Sequence, residues 1–156
     1  MPQPFNTDAQ VVLKQARRLA ESSDGLVILP MHLLAALVTD APAVWNQLTH
    51  VDVHSLVDAV PGFEVQPLET TAASAALSNS GKRVLAYAME EWFRARAAHL
   101  PPESVAPLIQ RSEYVGPEFM LLGLMRESDS DAAQLLASHG LELEDVRRRF
   151  SDAPEP

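Results

Sequence analysis

The chain repeats its own apolar pattern. Val12, Leu13, Ala16 and Ala20 are matched 72 positions on by Val84, Leu85, Ala88 and Trp92. A second set, Leu33, Leu34, Leu37 and Val38, returns 87 positions on as Met120, Leu121, Leu124 and Met125. Both sets have helical spacing and both occur in the same order, which marks an internal duplication and predicts two similar helical units packed about a pseudo-two-fold axis.

With 156 residues, 47% of them hydrophobic, the chain supports one well-buried core shared by both units. The formal net charge of −9 argues against nucleic acid as a partner, because such binding rests on clustered cations that neutralise phosphates. The one basic run, Arg147 to Arg149, follows Glu142, Glu144 and Asp145, the order in which a helix complements its own dipole. There is no cysteine, so disulfides, thiolate metal sites and thiol catalysis are excluded. The N-terminus lacks the basic region and apolar core of a secretory signal, and no apolar run approaches the ~18 residues of a membrane span. A soluble, cytoplasmic protein is expected, with no membrane partner.

Helix signals divide the chain. Asn6 caps a helix that ends near Ser22 to Gly25, Pro30 opens a second, Ala43 to Leu48 form a third, and about Val53 to Ala59 a fourth that stops at Pro61-Gly62. Ser78 caps the longest helix. Pro117 opens another through Met125, Asp131 to Ser138 give a short one, and Leu143 to Phe150 close the fold, with Gly140 at a C-terminal stop. No segment alternates persuasively enough for a strand. The expected fold is all-α, eight helices in two sets of four: repeat one at 5–60, a joint at 61–77, repeat two at 78–150 and a frayed tail at 151–156. The second repeat carries about 15 extra residues, placed at about 98–113, and an insertion of this kind settles on the surface.

The run Gly116-Pro117-Glu118-Phe119-Met120-Leu121-Leu122-Gly123-Leu124-Met125-Arg126-Glu127, followed by Asp131 to Leu136 and His139-Gly140-Leu141, resembles the N-terminal domain of Clp-family AAA+ unfoldases. In that family each half reads aromatic-Thr, a helix, Gly-Thr-Glu-His, an aliphatic core helix and a later Leu-Gly-Val-Asp turn. The first half here keeps Phe5-Asn6, then Pro30-Met31-His32-Leu33-Leu34-Ala35-Ala36-Leu37, and His50-Val51-Asp52, so the resemblance spans residues 5 to 150. The motif Glu is Met31 in the first half and Glu118 in the second. The motif His is His32 and then Phe119, and the capping Thr is Asn6 and then Ser78. The family's ATPase is not in this sequence: Gly81-Lys82 has Ala76 where a P-loop needs its first glycine and Arg83 where it needs Ser or Thr.

Some members of the family bind arginine-phosphorylated proteins, the motif carboxylate meeting the guanidinium and a helix start meeting the phosphate, both sound chemistry. Carried onto this chain, the resemblance implies a phosphoarginine-type half-site of Ser78, Lys82 and Glu118, set against the plainer roles of cap and first-turn acid. Met31 removes the carboxylate from the first half. His50 and His54 have an i, i+4 spacing without an evident third ligand and are read as exposed, so no metal and no cofactor is expected. His32 reads as a packing residue. Glu90 and Glu91 point in different directions on their helix and form no acid/base pair. Phe93 cannot share the stripe of Trp92 and is read as covering the insertion, the alternative being an exposed apolar patch that would mark a partner surface.

No nucleophile, metal set or carboxylate pair nominates an enzyme. The expected function is a stand-alone, non-enzymatic recognition or adaptor module of bacterial Clp proteolysis. Its partners would be the unfoldase, an adaptor or a client protein. The alternative is a diverged scaffold of the same fold whose own binding function lies in the insertion. Oligomeric state is left open.

Overall fold

The computed structural model describes residues 5–22, 27–48, 51–60, 76–97, 100–110 and 115–151. Helix α1, Thr7–Ser22, begins as the sequence predicts, with Asn6 Oδ1 accepting from the Ala9 N–H at 2.9 Å. It buries Ala9, Val12, Ala16, Leu19 and Ala20, the face that the periodicity marks. Helix α2, Pro30–Asp40, is buried along most of its length, and α3, Pro42–Asn46, and α4, Val53–Ala59, complete the first half.

The second half opens with α5, Asn79–Trp92, where Ser78 Oγ accepts from the Gly81 N–H at 2.9 Å. The helix continues without a break into a five-residue π turn, Phe93–Ala97. Then come α6, Pro102–Gln110, α7, Pro117–Arg126, α8, Asp131–Ser138, and α9, Leu143–Ser151. Gly140 between α8 and α9 has φ +86°, a left-handed stop that a side chain would strain.

Among the described residues the all-α class holds, with two differences in detail. The eight helices of the double repeat are present, and the insertion supplies a ninth, α6, in place of an irregular loop. Two short strands that the sequence did not predict, β1 at Val27–Ile28 and β2 at Ala76–Leu77, pair in parallel. At two residues each they are too short to show alternation. Residues 61–75 of the joint, His50, the edges of the insertion and the tail from 152 lie outside the described residues.

The halves are stitched in a crossed pattern. Phe5, ahead of α1, bridges to Val115, ahead of α7, and the Asn6 N–H donates to Val115 O at 2.9 Å. Likewise β1, ahead of α2, pairs with β2, ahead of α5, and the Ser78 N–H donates to Ile28 O at 3.0 Å. The shift of 72 carries Asn6 onto Ser78 and the shift of 87 carries Ile28 onto Val115, so one contact maps onto the other. Each half therefore completes a helix start of its partner, the hallmark of a pseudo-two-fold repeat. Within the halves α1 packs on α2 and α5 on α7, while α2 and α7 meet between them. Leu33, Leu34, Leu37, Met120, Leu121 and Leu124, all fully buried, form the shared centre of the core.

Candidate functional site

The crossed stitching decides which candidate residues keep company. Ser78 sits at the start of α5, its N–H on Ile28 and its Oγ on Gly81, and the exposed Lys82 follows one turn later. The first turn of α5 contains no acid of its own. Glu118 lies in the first turn of α7, at the other crossing. Its carboxylate folds back over Gly116, where a Cβ would come within 2.6 Å of both oxygens. Burial pushes the Glu118 carboxyl above its usual range, its own backbone N–H and the charge of Arg96 oppose the shift, and the acid Asp8 adds to it. Asp8 belongs to the first turn of α1.

Glu118 is thus grouped with Asp8 and Arg96, and Ser78 with Ile28. Ser78 and Glu118 belong to one sequence repeat, and the crossing sets each of their helix starts against a segment of the other half.

At the start of α2 the family carboxylate is replaced by Met31, and His32 is 4% exposed. Its Nδ1 accepts from the Leu29 N–H at 2.9 Å, which makes it a helix cap as well as a packing residue. Burial lowers its pKa, so the neutral acceptor form is favoured. In the second half the position is Phe119, with the Arg96 guanidinium 5.8 Å above its ring. His54 is exposed, and among the described residues no group of three or more metal-ligating side chains occurs.

A second cluster escaped the sequence reading. Glu91 is 1% exposed, on the core side of α5, while Glu90 beside it is exposed. Arg147 of α9 reaches Glu91 by two bonds, Nε to Oε1 at 2.6 Å and Nη2 to Oε2 at 2.9 Å. Arg126 of α7 adds Nη1 to Oε2 at 3.3 Å, bonds Glu90 as well, and lies 4.2 Å from the centre of the Tyr87 ring. Arg147 thus leaves the basic run to serve a buried partner, while Arg148 and Arg149 pair with Asp145 on their own helix. The signal was present: a shift of 72 places Glu91 on Leu19, a core position. Phe93, read as covering the insertion or lying in an exposed patch, is 45% exposed.

No protein-family model and no curated protein matches this chain. Solved structures do. A chain from a structural study of a malarial protein secretion system matches with TM-score 0.68 and 17% identity, over 96% of this chain and 95% of that one. The N-terminal domain of the caseinolytic protease associated chaperone ClpD from Arabidopsis thaliana matches with TM-score 0.60 and 19% identity, over 94% and 91%. The Hsp104 N-terminal domain from Candida albicans matches with TM-score 0.60 and 16% identity, over 96% and 91%. At these identities the likeness is one of fold. The chain is an all-α double repeat, and the fold is that of Clp N-terminal domains. No helix among the described residues is long and apolar enough to cross a membrane.

Proposed function

We propose that this protein is a non-enzymatic protein-recognition module, acting in Clp-type proteolysis by binding the unfoldase, an adaptor or a client. The observation that carries the reading is the match of nearly the whole chain to N-terminal domains of a protease-associated chaperone and of Hsp104.

Within this reading the starts of α5 and α7 are the stations for charged ligand groups. Ser78 and Lys82 suit an anion such as a phosphate, and Glu118 suits a guanidinium. The Asp8 and Arg96 charges around Glu118 and the Met31 beside the other crossing make the two stations unequal. Titration with free phosphoarginine, read by NMR on wild type, Ser78→Ala and Glu118→Ala, tests the three-residue site. Binding weakened by both substitutions supports one shared site; binding weakened by one alone divides the stations, and no response at millimolar ligand removes the site. The module itself is tested by binding of the purified protein to a Clp-type unfoldase and to unfolded clients. Failure with both classes removes the Clp assignment.

A further inference from the structure

A cavity of about 110 Å³ opens between the π turn, α7 and α9. Ala95, Phe119, Leu122 and Phe150 give it an apolar lining, and Glu91 and Arg147 form a charged wall. Arg94 completes the lining and, with 61% of its side chain exposed, stands at the mouth.

The hydrogen bonds there are unevenly shared. Arg147 and Arg126 take both carboxylate oxygens of Glu91. Glu144 is bonded to Arg147 and Glu90 to Arg126. Arg94 forms only a long ion pair with Glu91, Nε to Oε2 at 3.9 Å, too far for a hydrogen bond, and the described residues give its guanidinium no hydrogen-bonded acceptor. The π turn sets this arrangement, because the wider turn re-aims Arg94 and Ala95 relative to the straight helix before them, and such turns recur at functional sites. One residue of the turn lines the apolar space and its neighbour holds a cation at the entrance.

We propose that this cavity binds the C-terminal residue of a partner protein, its aliphatic side chain in the cavity and its terminal carboxylate on Arg94. The proposal rests on the protein-recognition reading above. Size selects the side chain: an apolar cavity of ~150 Å³ holds benzene, so this smaller space suits valine or leucine and excludes an indole. Geometry selects the terminus. An α-carboxylate is attached to the same Cα as the side chain, so a seated side chain brings it to the mouth. An internal residue offers a neutral carbonyl at that point.

The test is NMR titration of the whole chain, following the Ala95 and Leu122 amides, with three probes: acetyl-Gly-Gly-Leu with a free carboxylate, the same peptide amidated, and acetyl-Leu-Asp-amide. The free acid is expected to bind about tenfold more tightly than either amide, the difference a charge-assisted bond makes at a partly exposed site. Arg94→Ala abolishes that preference, Arg94→Lys retains part of it, and Ala95→Leu fills the cavity and removes binding of all three. Equal binding of acid and amide, or of the internal aspartate, overturns the terminal-carboxylate assignment, and no shift with any probe overturns the site. A protein that still binds an unfoldase or client after that result loses this inference and keeps its function; one that binds neither loses both.

Discussion

Glu91 and Arg147 meet through two hydrogen bonds, of 2.6 and 2.9 Å, that join the last turn of α5 to the middle of α9. Bonding to Glu91 raises the Arg147 pKa further, so the guanidinium is charged at every accessible pH. A carboxylate at a core position costs desolvation, and two guanidinium groups with good geometry offset it. Removing one partner strands the other. Glu91→Gln and Arg147→Ala are each expected to lower stability by about 3 kcal/mol in urea unfolding. The double variant Glu91→Leu with Arg147→Leu, which restores the Leu19 chemistry of the first half, is expected to lose far less than the two single costs together. Single losses below about 1 kcal/mol, or simple additivity, would show that the pair is not coupled.

Among the described residues, the first half lacks an ion pair that the second half has. Arg83 at the start of α5 bonds Glu127 after the end of α7, with Nε 2.5 Å from Oε2. The two repeat shifts carry these residues onto Val11, which is 47% exposed, and Asp40, whose buried Oδ2 has no hydrogen-bond partner. Burial pushes the Asp40 carboxyl above its usual value of 3.8, and its place at the C-terminal end of α2 opposes a negative charge in the same sense. The folded state therefore holds this proton more tightly than the unfolded chain does. Its contribution to stability is full below about pH 4 and is lost as pH rises through the raised folded value. Asp40→Asn is expected to exceed wild type in stability at pH 7 and to converge with it at pH 4. Val11→Arg, supplying the missing partner, is expected to add about 0.5 kcal/mol, since Arg83 in the second-half pair is itself half exposed. It should also bring the Asp40 carboxyl down, as followed by NMR titration; an unchanged titration would show that the introduced guanidinium does not reach Asp40.

The elements were legible where local chemistry decides them. Asn6, Ser78, Pro30, Pro117 and Gly140 mark helix ends by caps, fixed φ or left-handed backbone, and each does so in the structure. The burial of Val12, Ala16, Val84 and Ala88 follows from spacing alone. What the sequence left open depends on contacts between distant segments. β1 and β2 exist because two helix starts cross, and a two-residue strand has no periodicity of its own. Repeats align each half with itself, whereas the backbone joins the helix starts across the two halves. The burial of Glu91 follows only when its alignment with Leu19 is set beside Arg147, 56 residues away.

Gly123 sets the spacing of the second half. A Cβ there would fall inside van der Waals contact with the Val84 carbonyl oxygen and 3.1 Å from the Ala88 nitrogen, so α7 lies directly on the backbone of α5. The first-half counterpart is Ala36, fully buried, so α1 and α2 accommodate the methyl group that α5 and α7 exclude. Helix propensity alone favours alanine over glycine by about 1 kcal/mol. The clash is with backbone, which cannot rotate away, and overpacking of this kind costs about 1–3 kcal/mol. Gly123→Ala is therefore expected to destabilise the fold by about 1 kcal/mol net, with the α5–α7 amides showing the largest NMR shifts. Ala36→Gly provides the comparison: it carries the propensity cost and opens a small cavity, and its shifts should stay on α1 and α2. A Gly123→Ala variant as stable as wild type would mean that α5 and α7 can separate without loss, and that their close approach is not what holds the second half together.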